Sequence, residues 1–264
     1  MMFKLLLGFL VVFLTIFAEG INMDASQFAP AWPHGEIQEI LPDIFFVTGT
    51  NKVQHEGINI QTSRNMVIMR HGSELTLINT VRLGEEGLKR LNKLGKVAYI
   101  VRIGAFHGRD DAFYKKQYPS AHLCVLKGMV YESGLKPDKE LIAGEKMSFP
   151  HCSLFVFETS NTPEGILYID REGGILITCD SIQNITATDQ FYSLETAKSF
   201  YDQGLVKPAN ISSIWLGATH TERSDFERLL TIKFRHLITA HGEPLLNGAY
   251  EQVHETFNRV FSEY

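Results

Sequence analysis

The chain has 264 residues, enough for one large domain or two small ones, and its 44% hydrophobic and 21% charged residues are the ordinary balance of a globular protein. A formal net charge of -5, with no Lys/Arg block beyond short runs such as Lys115-Lys116, excludes the basic stripe of a nucleic-acid-binding protein. Three cysteines, Cys124, Cys152 and Cys179, are too few for a disulfide framework. They allow one bridge, match no zinc-finger spacing, and lie in or beside apolar runs as buried, inert thiols do.

The first residues read as a targeting segment. Met1-Met-Phe-Lys4 is a short basic start, the run from Leu5 to Phe17 is almost unbroken apolar, and Ala18-Glu-Gly20 places small residues at alternate positions. The pattern predicts a signal peptide over residues 1–20 and a secreted or secretory-pathway protein, with no stable membrane span once the signal is cleaved. The run is shorter than the roughly 20 apolar residues of a transmembrane helix; an uncleaved membrane anchor is the alternative. Two sequons, Asn184-Ile-Thr186 and Asn210-Ile-Ser212, are compatible with export and glycosylation.

Residues 21–42 are Pro-rich and predict an extended lead-in to one compact domain over residues 43–264. Short strands follow at Ile44-Phe-Phe-Val47, Asn65-Met-Val-Ile-Met69 and Glu74-Leu-Thr-Leu-Ile-Asn79, the last two joined by a His71-Gly72 turn. Leu88, Leu91 and Leu94 form the apolar stripe of a helix over residues 85–94, which Gly95 stops. A strand at 97–101 leads into Ile103-Gly-Ala-Phe-His-Gly-Arg-Asp-Asp, then a short helix at 111–117 and a strand at 121–126. Residues 141–149 are ambiguous. A strand at 153–157 precedes the polar turn Thr159-Ser-Asn-Thr-Pro-Glu-Gly165, and strands at 166–169 and 174–178 pair through Asp170-Arg-Glu-Gly173. Helices are predicted near 193–203, from about Asp225 with Ser224 and Glu227 as a capping box, and over 249–261; a strand at 236–240 ends in His241-Gly-Glu-Pro244. Hairpins mixed with strand–helix crossovers imply mixed sheets rather than one parallel sheet.

Three strand ends finish in polar groups: the His107–Asp111 loop, Asp180 and His241. Histidines and carboxylates converging from separate strands suit Zn²⁺, Fe or Mn, which accept both nitrogen and oxygen ligands. His220, just before a predicted helix, is a further cleft candidate, whereas Tyr114 and His151 read as packing and turn residues. Cys179 abuts Asp180 with no base at a spacing that would mark a nucleophile.

The order of these anchors resembles the metallo-β-lactamase-like superfamily over nearly all of the part beyond the signal. The entry strands and turn fall on Ile44 to Thr80, the H-x-H-x-D-H loop on His107-Gly-Arg-Asp-Asp-Ala112, the GHTPG turn on Ser160-Asn-Thr-Pro-Glu164, the strands before the GD pair on Ile166 to Asp180, and the closing GHG turn on Ala240-His-Gly-Glu-Pro244. The resemblance implies an α/β (α+β) fold, a four-layer αββα sandwich of two mixed sheets. It also implies a metal site on His107, Asp111, Asp180 and His241, with Asp111 and His107 as catalytic candidates. Arg109 stands in place of the second His, Ala112 in place of the last loop ligand, Asn161 in place of the GHT His, and Asn79 in place of a supporting Asp.

These departures leave one divalent cation (Zn, Fe or Mn) at most, or none. A guanidinium cannot ligate a metal, and Arg109 is expected to neutralise Asp111 and Asp180 itself. Three functions follow: a non-catalytic binding protein with an Arg109 anion site for a small-molecule or anionic ligand; a mononuclear metal-dependent hydrolase of an ester, amide or phosphoester; and a structural or interaction protein of the secretory pathway.

Overall fold

The computed structural model describes residues 28–262 apart from Glu56, so the predicted signal segment lies outside the described residues. The first sheet takes its strands in chain order: β1 (Gln38–Leu41), β2 (Ile44–His55), β3 (Ile58–His71), β4 (Glu74–Ile78), β5 (Lys96–Arg102), β6 (His122–Leu126) and β7 (Lys139–Leu141). Pairing is antiparallel from β1 to β4, where tight turns connect the strands, and parallel from β4 to β7. Two of the parallel connections carry helices, α1 (Glu85–Leu94) and α2 (Asp111–Gln117).

The second sheet has the order β13-β10-β9-β8, from β8 (Cys152–Val156), β9 (Gly165–Ile169), β10 (Ile175–Ile177) and β13 (His236–Ile238). A two-stranded piece, β11 (Ile182–Ile185) with β12 (Lys207–Ile211), is tied to it by a bridge between Asn184 and Gly242. Helices α3 (Leu194–Asp202), α4 (Ser213–Thr219), α5 (Arg223–Leu229) and α6 (Ala249–Phe261) complete the described elements.

The period of two along the strands decides the layers. Leu167 and Ile169 of β9, and Ile175 and Ile177 of β10, join a core shared with Ile44, Met66, Ile68, Leu77 and Ile100 of the first sheet. Their neighbours Ile166 and Leu176 point the other way, into a second core with Trp215, Phe226, Val253 and Phe257 of α4, α5 and α6. Leu91 of α1 packs on the first sheet with Leu88 and Leu94 beside it. The result is the expected αββα sandwich of two mixed sheets.

Several elements differ from the sequence expectation. The polar stretch 48–64, between the strands expected at 44–47 and 65–69, extends β2 and β3 into a hairpin that pairs Thr48 with Asn65 and continues to its tip. β12 and α4 are elements beyond those expected; β12 carries Pro208 near its start, and α4 is one short capped piece, with Ser212 Oγ accepting from Trp215 N at 3.2 Å. The Ser224/Glu227 capping box does not form: α5 starts earlier, at Arg223, and Glu227 instead pairs with Arg223 at 2.7 Å. Both sequon asparagines are buried, and Asn184 donates to Glu243 O at 2.8 Å and accepts from Ala209 N at 3.0 Å. A glycan on Asn184 would have to displace both bonds. The cysteines are all free, and burial pushes the Cys124 thiol up to about 11 and the Cys152 thiol up to about 12. Among the described residues, no helix is long and apolar enough to cross a membrane.

Candidate metal centre

Strand ends build the site. β5 is buried along most of its length, and the chain leaves it through Gly104 into the His107 loop. β10 delivers Asp180 three residues past its end, and β13 delivers His241 in the same way. Two glycines make the turns. Gly108 has φ +100°, and a Cβ there would press on Arg102 Nε at 2.7 Å and Asp111 Oδ2 at 2.9 Å. Gly242 has φ +89° and lets the chain after His241 lie directly against the Asn184 carbonyl.

His107, Asp180 and His241 converge so that one ligand atom from each lies within 4.8 Å of the others. His107 Nε2 is 3.2 Å from His241 Nε2 and 3.4 Å from Asp180 Oδ2, and His241 Nε2 is 3.1 Å from Asp180 Oδ1. The Asp180 side chain is 2% exposed, and those of His107 and His241 are 5% and 14% exposed. His241 Nδ1 lies 2.9 Å from Ser63 O, which assigns its proton to Nδ1 and its lone pair to Nε2. His107 Nδ1 is buried without a partner. Burial lowers the His107 pKa against the opposing pull of Asp180. Burial alone would raise Asp180, but His107 and His241 hold its carboxyl well below the usual range.

Asp111 is not in this donor group. Its two oxygens are taken by Thr80 Oγ1 at 2.6 Å and the Tyr131 hydroxyl at 2.5 Å, and the residue is fully buried. Arg109 is likewise not where the sequence suggested. Among the described residues it forms no ion pair with Asp111 or Asp180; its guanidinium lies 5.7 Å from the Trp32 ring centre. Burial, then the like charge of Arg64, lowers its pKa, with Asp110 opposing. The buried ion pair of the loop belongs to Arg64, whose Nη2 is 3.5 Å from Asp110 Oδ2 and donates to Thr80 O at 2.5 Å. Asn161 is exposed, accepting from Thr162 Oγ1 at 3.1 Å. His220 is exposed too, in the left-handed conformation that ends α4, with φ 53°. Neither is among the grouped ligand atoms. Asn79, at φ 55°, uses its amide to tie β4 to Thr178 O at 3.2 Å.

Residues that the motif did not mark also shape the site. Glu164, 1% exposed, accepts from Ser181 N at 2.6 Å and groups with Cys179 and Asp180. Burial, then the charge of Asp180, pushes its pKa well above the carboxylate range, and burial pushes the Cys179 thiol up as well. A cavity of about 20 Å³ opens beside Asp180 between Phe106, Gln183, Ser212 and Trp215, room for roughly one water. Arg64 was hidden because the polar stretch around it was not read as a strand. In β3 it shares a face with Met66 and Ile68, which is the signal that could have revealed a buried guanidinium.

The sequence matches no protein-family model and no curated protein sequence. Solved structures are similar over most of the chain. The metallo-β-lactamase from Hirschia baltica has a TM-score of 0.54 at 13% identity, over 84% of this chain and 97% of that one. The metallo-β-lactamase FIM-1 from Pseudomonas aeruginosa, in its mono-zinc form, has a TM-score of 0.54 at 13% identity, over 88% and 98%. VMB-1 reaches a TM-score of 0.59 at 11% identity, over 85% and 97%. The chain has the metallo-β-lactamase fold.

Proposed function

We propose that this protein holds one divalent cation on His107, Asp180 and His241 and is a metal-dependent hydrolase of an ester, amide or phosphoester carried by a small molecule. The observation that supports this is the contact between His241 Nε2 and Asp180 Oδ1 at 3.1 Å. With the His241 proton on Nδ1, both atoms are acceptors in the neutral ring, and neither can satisfy the other without a cation or an added proton between them. The lack of any hydrogen bond to the buried Asp180 Oδ1 points the same way.

The donor set fits one ion. Contacts of 3.1 to 3.4 Å, made to the two Asp180 oxygens, fall within the ligand–ligand edges of about 2.8–3.6 Å expected for metal–ligand bonds of about 2.0–2.2 Å in octahedral or tetrahedral geometry. They do not choose between Zn, Fe and Mn. The motif's other metal position lacks ligands: Arg109 and Ala112 carry none, Asn161 is exposed, and Asp111 is engaged by Thr80 and Tyr131. A bound cation would supply Lewis acidity and a water of lowered pKa. The chain's own part is to orient His241 through Ser63 O and keep Asp180 ionised, with room for roughly one water in the small cavity between Asp180 and Trp215.

A non-catalytic binding protein is the second reading, favoured by the engagement of Asp111, which leaves the histidine group with three residues, His107, Asp180 and His241. Elemental analysis of protein purified without chelator decides. The expected result is about one equivalent of metal, lost in Asp180→Ala and unchanged in Arg109→His, because Asn161 and Ala112 still offer no ligand. A chain free of Zn, Fe and Mn as purified, and unable to take them up, would falsify the cation site. Metal bound with no turnover of ester, amide or phosphoester probes would select the second reading.

A further inference from the structure

The loop that carries His107 holds a cation, Arg109, that no carboxylate among the described residues pairs. Asp110 is nine-tenths or more buried, and both its near cations are arginines, Arg64 and Arg109. Its Oδ2 accepts from Arg82 N at 3.0 Å and lies 3.5 Å from Arg64 Nη2, so Asp110 is committed to Arg64. Arg109 then has no carboxylate within ion-pair distance and no hydrogen-bond partner among the described residues, although it is half-buried. Arg64, with a side chain 5% exposed, leaves its Nε–H unsatisfied. A buried guanidinium N–H without a partner costs on the order of 1–3 kcal/mol, so a water or a ligand oxygen at Arg64 Nε would be stabilising.

Trp32 explains how Arg109 is held without being used up. The five donors of a guanidinium lie in its plane, while its faces are free to stack on an aromatic ring. The lead-in is pinned where it must be for this: Phe28 packs edge-on against Phe113 of α2, the Ala29 carbonyl accepts from Arg82, and His34 Nε2 accepts from Gly84 N at 2.9 Å. Trp32 thereby lies 5.7 Å from the Arg109 guanidinium, on the loop two residues from His107. A planar cation with free in-plane donors, beside a second cation with one unsatisfied donor, is suited to an oxyanion rather than to a neutral group.

We propose that Arg109, backed by Arg64, recognises an oxyanion group, phosphate or carboxylate, of the small-molecule ligand. This deepens the hydrolase reading by naming the ligand class and rests on it only for what happens after binding, since oxyanion capture needs no metal. The test uses the full chain treated with chelator and inorganic phosphate as the probe, followed by titration calorimetry. Saturable one-to-one binding is expected, weakened about tenfold or more in Arg109→Gln and unchanged in Lys93→Gln, an exposed helix lysine. Arg64→Lys keeps the charge and loses the Nε donor, and an intermediate weakening is expected; should it not fold, Arg109→Gln alone carries the test. Equal affinity in Arg109→Gln and wild type, or no saturable binding, overturns the proposal. Phosphate that binds only after zinc loading, and equally well to Arg109→Gln, sinks the oxyanion site and leaves the cation site standing. Arg109-dependent binding in a chain that takes up no metal does the reverse.

Discussion

Glu164→Gln asks whether the carboxyl beside Asp180 is held neutral. Glu164 keeps one oxygen on Ser181 N at 2.6 Å, and its other oxygen is buried without a partner. Burial, then the negative charge of Asp180, raises its folded pKa well above the carboxylate range, while in the unfolded chain a Glu ionises near about 4.3. A raised folded pKa gives stability that is complete below the unfolded value and is lost as pH rises toward the folded one. The loss is up to about 1.4 kcal/mol per pH unit, a ceiling of about 4 kcal/mol at neutral pH. Gln cannot ionise and keeps the acceptor for Ser181 N. In chelator-treated protein, Glu164→Gln is therefore expected to be more stable than wild type at neutral pH, with the gap closing as pH falls toward about 4.3. Urea unfolding of both proteins across that range measures the gap. Parallel stability–pH curves, or a gap that widens on acidification, refute the reasoning.

Two further predictions concern the fold around the site. Gly104→Ala places a Cβ 2.8 Å from Cys179 Cβ and closer still to its Sγ, so a cost of about 1–3 kcal/mol or more is expected. Thermal melting should show the loss, partly relieved by adding Cys179→Ala; an unchanged melting temperature in Gly104→Ala would mean that the loop and β10 do not pack as described. His236 uses both ring nitrogens, with Nε2 3.1 Å from Glu172 O and Nδ1 accepting from Asn247 N at 3.2 Å. Burial, with the charge of Arg235, lowers its pKa; its contribution to stability is present above the unfolded value of about 6.5 and is lost as pH falls. An NMR titration of His236 with a midpoint at or above about 6.5 counts against the assigned tautomer.

The sequence by itself determined the helices at 85–94 and 249–261, whose apolar stripes have one possible inward face, and the strands before His107, Asp180 and His241. Those runs are apolar enough to be buried wherever the chain folds, and the polar residue after each therefore emerges at a strand end. Resemblance of the anchors' order then carried the two mixed sheets. The tertiary structure alone decided which polar groups meet. Asp111 and Asp180 look equivalent in the sequence, yet Thr80 and Tyr131, 31 residues before Asp111 and 20 after it, engage the first, while two histidines from other strands meet the second. The sequence places Arg109 as the cation for Asp111 and Asp180, whereas the loop's buried ion pair is made by Arg64, which reaches Asp110 from β3. Periodicity reports which face a side chain occupies; it carries no information on the neighbour across the core, and that neighbour sets the charge, the tautomer and the free donors of the site.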